Sequence, residues 1–255
     1  MKDIVDLREL LASWPYDPDN NVRKLRAKEG REVLQVRLPL GIEQYELEGR
    51  PDGGRPKGKE SWLEHHLERL EQAQAAGAAE AFALDHEQCD DLFAEGTLYY
   101  FRYLHCFQIK EWQRTARDTA RNLRLFDLVH DYAAREEDQI YLEQWRPYVL
   151  RMHAAALAML ELEKGNHAQA LAQLQSTAAR IEALPELEDE TFQFERQRSL
   201  AALREMAGQI EKVKPLSEME SLERQLQDAI QAQAFERAAQ LRDRLRALRQ
   251  KTGRR

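Results

Sequence analysis

From Ser61 to the end of the chain, apolar residues return at intervals of three and four, with few breaks for proline or glycine. That period is the signature of amphipathic helices, and its extent leaves little room for a large sheet. Trp62, Leu63, His66, Leu67 and Leu70 mark a first helix that ends in an alanine-rich stretch near Gly77. Ser61, with Glu64 three positions on, has the spacing of a helix start, as do Asp85 and Gln88 for the next helix. The latter runs through Leu92 into the aromatic block Leu98 to Tyr103, and a third helix is predicted over about Glu111 to Ala134. After Glu136, Glu137 and Asp138, the pattern predicts one helix from about Ile140 to Lys164 and another from Ala168 to about Leu184. A last long one carries Phe192, Leu200, Leu203, Ile210 and Val213 up to Pro215.

The first sixty residues read differently. Ile4, Leu7, Leu10 and Leu11 suggest a short amphipathic helix stopped by Trp14 and Pro15. Leu34, Val36 and Leu38 then alternate with polar residues, the period of a half-buried strand. Pro39-Leu40-Gly41 offers a turn, and Tyr45 and Leu47 continue the alternation on a second strand. An antiparallel hairpin of this kind, or the edge of a three-stranded sheet, must pack on the helices that follow, because two strands alone are not stable. The expected organisation is a helix plus β region over 1–60, a helical domain over 61–214 and a helical hairpin over 215–255.

Between sheet and helices, Gly53-Gly54-Arg55-Pro56-Lys57-Gly58-Lys59 matches the Gly-x4-Gly-Lys part of a phosphate-binding loop. The next residue is Glu60, not the Ser or Thr that would ligand magnesium, and Pro56 lacks one of the N–H groups such a loop needs. An ordered turn leading into a helix capped by Ser61 is the better account.

Charged residues make up 33% of the chain, and no apolar run nears the ~20 residues of a membrane span. Acids at Asp3 and Asp6 disrupt what a signal peptide would require, so a cytoplasmic protein is expected. Cys89 and Cys106 lack CxxC spacing. With His86 and His105 they are soft ligands, but adjacent His105 and Cys106 on one helix point about 100° apart and would rarely share an ion. No spacing typical of a metalloprotease, nucleophile elbow or di-iron bundle occurs, so neither metal, cofactor nor catalysis is expected.

Arg114, Arg117, Arg121 and Arg124 recur at three, four and three and form a basic ridge on one helix. Such a ridge could recognise a phosphate or an acidic peptide. Asp118 is four from Arg114 and Asp127 three from Arg124, so helical ion pairs would absorb part of the charge.

The C-terminal segment is the most specific part. Ser217 and Glu220 have capping-box spacing after Pro215, and Leu222, Leu226, Ala229 and Ile230 draw an apolar stripe on one helix. A turn is predicted over Ala232 to Ala234. Phe235, Ala238, Leu241, Leu245 and Leu248 supply the facing stripe, with Phe235 expected to plug the end near the turn. From Arg237 onward eight basic residues stand against Asp243 alone, leaving 30 basic and 44 acidic residues in the rest of the chain. A duplex-binding protein would be basic overall, so direct nucleic-acid binding is not expected.

These residues, together with Glu236, Arg242 and Asp243, resemble the UVR motif, a helical hairpin shared by UvrB and UvrC repair proteins. The resemblance implies a docking device. It joins UvrB to UvrC, and related hairpins occur in stress adaptors of bacterial-type Clp proteases. The helicase motifs of UvrB, the nuclease modules of UvrC and the paired CxxC motifs of the arginine-kinase activators are missing from this sequence. Further back, Leu157-Ala158 followed by Glu163 to Leu171 resembles the loop and flanks of a tetratricopeptide repeat, which implies repeat-like packing in the helical domain. The sequence therefore predicts a mainly α protein-interaction adaptor, docking through Leu222, Leu226, Ile230, Phe235, Ala238, Leu241, Leu245 and Leu248. A Clp-type unfoldase or related proteostasis complex is the first expected partner. An excision-repair accessory role, self-association, or an enzyme or phosphate-ligand protein using the Gly53–Lys59 loop and arginine ridge are the alternatives.

Overall fold

A computed structural model describes the backbone of residues 6–213 and 218–252, and the side chains of 6–213 and 221–246. Ile4, Pro215, Ser217 and the side chains of Glu220 and Leu248 lie outside the described residues. Among the described residues the chain is mainly α, with one small antiparallel sheet. It divides into two compact units, the first ending at Gly208 and the second beginning at Gln209. No helix among the described residues is long and apolar enough to cross a membrane.

The sheet has three strands in the order β1 (Val22–Arg26), β2 (Glu32–Leu38), β3 (Gly41–Glu46). The predicted hairpin is β2–β3 and the three-stranded alternative holds, with β1 the strand not located in the sequence. Strand β1 hid from the two-residue period because Lys24 stands opposite Leu34, where an apolar residue would be expected, and reaches out to Glu111. Val22, Leu34, Val36, Tyr45 and Leu47 form one core with Cys106, against which Ile109 also packs. The central strand is not half-buried as its alternation predicts. Val33 and Arg37 are buried too. Arg37 lies under the segment that follows α1 (Arg8–Ser13), donating to the carbonyl oxygens of Trp14 at 2.7 Å and Gly41 at 3.2 Å. Arg23 stacks beneath the Trp14 ring at 3.9 Å. Helix α1 itself buries no residue.

Helices α2 (Trp62–Ala75) and α3 (His86–Gln108) start where their caps predict, and α4 (Trp112–Tyr132) follows without a side-chain cap. Ser61 Oγ accepts from Glu64 N, and Asp85 and Gln88 form a full capping box. Leu63, Leu84, Leu92, Leu125 and Val129 centre the main core. The predicted helix over 140–164 is instead three pieces: α5 (Glu136–Tyr141), a 3-10 turn (Glu143–Trp145) and α6 (Arg146–Glu163). Pro147 causes the break, since its missing N–H is tolerated only in the first turn of a new helix. Helices α7 (His167–Glu182) and α8 (Glu190–Val213) follow, and α9 (Glu218–Gln231) pairs with α10 (Phe235–Thr252).

Three helix pairs are closed by the same device. At the α3–α4, α6–α7 and α9–α10 joints, Lys110, Gly165 and Gln233 take φ of 62°, 77° and 55°. The residue after each donates its N–H five positions back: Glu111 to Cys106, Asn166 to Glu161, and Ala234 to Ala229. That is a Schellman closure, which favours glycine at its left-handed position. Only Gly165 meets the preference. Gln233→Gly and Lys110→Gly are each expected to stabilise their unit by ~0.5–1 kcal/mol, because a β-carbon is strained at positive φ. A fall in the thermal midpoint of either variant would contradict this.

Candidate protein-docking site

The α9–α10 hairpin has a narrow seam. Leu222 and Ala229 of α9 meet Ala238, Leu241 and Leu245 of α10, with Leu226 and Ala234 partly covered beside them. Small Ala229 and Ala238 stand near the turn. Two helices joined through so few buried side chains are marginal by themselves and gain from a further apolar surface.

Two stripe positions are not in the seam. Phe235 is 71% exposed and Ile230 54% exposed, so the expected plug is absent. Helical side chains lean toward the N-terminus. At the first position of α10, Phe235 therefore projects past the turn, where α9 has ended. Ile230 follows Ala229 directly and is turned about 100° off the seam. The result is an apolar pair at the tip, while Arg237, Arg242, Arg244 and Arg246 are exposed along α10. Among the described pairs, these arginines meet only Asp243, through Arg242 at 3.0 Å. An apolar tip with a basic shaft suits a partner that offers an apolar hollow with acidic edges.

The arginine ridge on α4 faces inward as much as outward. Arg114 pairs with Glu32 and Glu111 at 2.8 Å and with Glu48 at 3.2 Å. Arg117 pairs with Glu48 at 2.7 Å and Asp118 at 2.9 Å, and donates to Leu47 O at 2.7 Å. Arg121 pairs with Glu95 and lies 3.8 Å over the Tyr99 ring. Only Arg124 of the four is exposed without a side-chain partner among the described residues. The helical pairs suggested by spacing are not made. Asp118 goes to Arg102 and Arg117, and Asp127 to Arg146. Carboxylates of the chain itself thus occupy the positions that a phosphate or acidic peptide would take at Arg114, Arg117 and Arg121.

Two buried acids anchor this network: Asp118, which spacing assigns to Arg114, and Glu95, which the sequence does not pick out. Asp118 and Arg102 are each 1% exposed and bond at 2.7 and 2.8 Å; Arg102 also donates to the carbonyls of Glu46 and Gly49 at 2.8 and 2.7 Å. Glu95, fully buried, accepts from Trp62 N at 2.7 Å and Leu63 N at 3.1 Å. Those amides open α2, where a phosphate-binding loop would hold its anion. In the loop before it, Asp52 accepts from Gly54 N at 2.9 Å and Lys59 pairs with Glu68 at 2.5 Å.

Cys89 and Cys106 belong to different cores, and burial pushes both thiols up to about 12. His86 is held by Asp138 at 3.0 Å. The four soft ligands weighed as a zinc set are therefore dispersed.

No curated protein and no solved structure matches the chain. A family model matches residues 217–251, the segment that carries the described hairpin. The model matched is the UvrB/uvrC motif, so the α9–α10 hairpin carries a match to that motif.

Proposed function

We propose that the chain is a non-catalytic adaptor that acts in the cytoplasm and captures a protein partner with the tip of this hairpin. The supporting observation is the exposure of Phe235 and Ile230 on a motif whose own seam is nearly minimal. Large exposed apolar side chains at a ridge tip are the kind of anchor that dominates binding energy. Phe235 would fill an apolar hollow on the partner, and the α10 arginines would steer it toward acidic surface. A Clp-type unfoldase or related proteostasis complex is the favoured partner. The motif also supports a second reading, an excision-repair accessory that binds UvrB or UvrC.

Phe235→Asp tests the proposal. Because the side chain is exposed, the hairpin should keep its helicity and lose no more than ~0.5 kcal/mol. Partner capture from native lysate should fall at least about thirtyfold, as for a hot spot of ~2 kcal/mol. Loss of an unfoldase from the captured set supports the first reading, and loss of UvrB or UvrC the second. Identical captures by the intact chain and the variant would refute tip docking.

A further inference from the structure

A pocket of about 570 Å³ opens among α3, α4, the α5–α6 connection and α8, all its lining residues within the first unit. That volume is the size of a small-ligand site. Eight of the chain's twenty Phe, Tyr and Trp residues line it. Phe93 and Tyr141 pack at 4.4 Å on one side, and Tyr100 contacts Tyr103 at 5.6 Å and Tyr148 at 6.0 Å on the other. Trp145 is 42% exposed, with no ring partner among the described residues.

Helix α8 contributes the polar end. Phe192, Ser199 and Leu203 are its buried face, and Glu195 occupies the same stripe at 5% exposure, where an apolar residue would pack. A buried carboxylate without full hydrogen bonding is costly and calls for a reason. Glu195 Oε1 receives Arg198 at 3.3 Å. Oε2 accepts no hydrogen bond and lies 3.9 Å from the Arg151 guanidinium, which is itself 3.2 Å from Ser199 Oγ and 5.0 Å above the Tyr148 ring. Arg198 lines the pocket and is more than half exposed, with donors to spare.

The charges narrow the ligand. A cation would meet the Arg198 guanidinium, and an anion would meet Glu195. What complements a lone carboxylate oxygen beside an arginine is an edge that carries a donor next to an acceptor. The rings ask for a flat body that can stack. We propose that this pocket binds an uncharged heteroaromatic ring with an N–H donor beside an acceptor on its edge, the chemistry of a nucleobase. The ring stacks among Tyr141, Trp145 and Tyr100, its N–H donates to the Glu195 carboxylate, and its acceptor receives Arg198. A free nucleoside and an unpaired base in a single strand share that chemistry.

The test titrates the full chain, by calorimetry and tryptophan fluorescence, with adenosine, guanosine, cytidine and uridine, and with a short single strand of the best base. Indole, benzylammonium and benzoate serve as comparators. At least one nucleoside should bind below millimolar concentration and at least tenfold tighter than any comparator. Glu195→Gln should weaken it about tenfold, the loss of one charge-assisted hydrogen bond. If that variant does not fold, Tyr141→Ala, at a half-exposed position, should weaken it comparably with helicity intact. A strand that binds no tighter than its nucleoside identifies a free small molecule as the ligand, and one that binds more than tenfold tighter identifies a base in a strand. Tighter binding of benzylammonium or benzoate, parity with indole, or no nucleoside binding at millimolar concentration would overturn the proposal.

Discussion

Arg102→Met will cost the first unit about 3–5 kcal/mol, the usual effect of stripping one partner from a buried ion pair. Methionine keeps much of the volume but leaves the Asp118 carboxylate enclosed at 1% exposure, with only Arg117 beside it. The carbonyls of Glu46 and Gly49 lose their donor at the same time. Because those carbonyls sit where the sheet leads into the Gly49–Lys59 loop, the damage should reach the contact between sheet and helices. Urea unfolding followed by circular dichroism measures it. Adding Asp118→Leu should restore part of the loss, since it removes the stranded charge, and the double variant should be more stable than Arg102→Met alone. A single substitution that costs under ~1 kcal/mol would mean that water reaches the pair, and the buried clamp would be refuted.

Glu95→Ala should be nearly as damaging, by about 3 kcal/mol, through a different route. It frees two amides at the start of α2 and takes a carboxylate away from Arg121 and Arg50, the latter 3.4 Å distant. Glu95→Gln keeps an acceptor and should lose roughly half as much, since a charged acceptor at a helix start is worth more than a neutral one. The ordering of the two variants, read from urea midpoints, is the check. Equal losses would mean that charge contributes nothing there.

The helices were legible because their signals are local. Ser61 with Glu64, Asp85 with Gln88, and the apolar stripes all lie within a turn or two of what they specify. The turn of the C-terminal hairpin was legible for the same reason. What spacing could not reach was the choice among partners distant in sequence. Arithmetic along α4 offered Asp118 to Arg114 and Asp127 to Arg124, yet Glu48 and Glu32, 66 and 82 residues away, take Arg114. Glu95 reads as one more helical acid until α2 is laid across it. Strand β1 was hidden by a lysine that left the sheet for Glu111, and Phe235 was misplaced because a stripe position at a helix end has no neighbour to meet.

The three identical turns have a mechanical meaning. Each joint reverses the chain within a few residues and ties its last N–H back into the helix it leaves, so no slack separates the two rods of a pair. A pull applied at Phe235 would load both helices of the hairpin together. Such a tip yields by breaking hydrogen bonds, not by paying out loop.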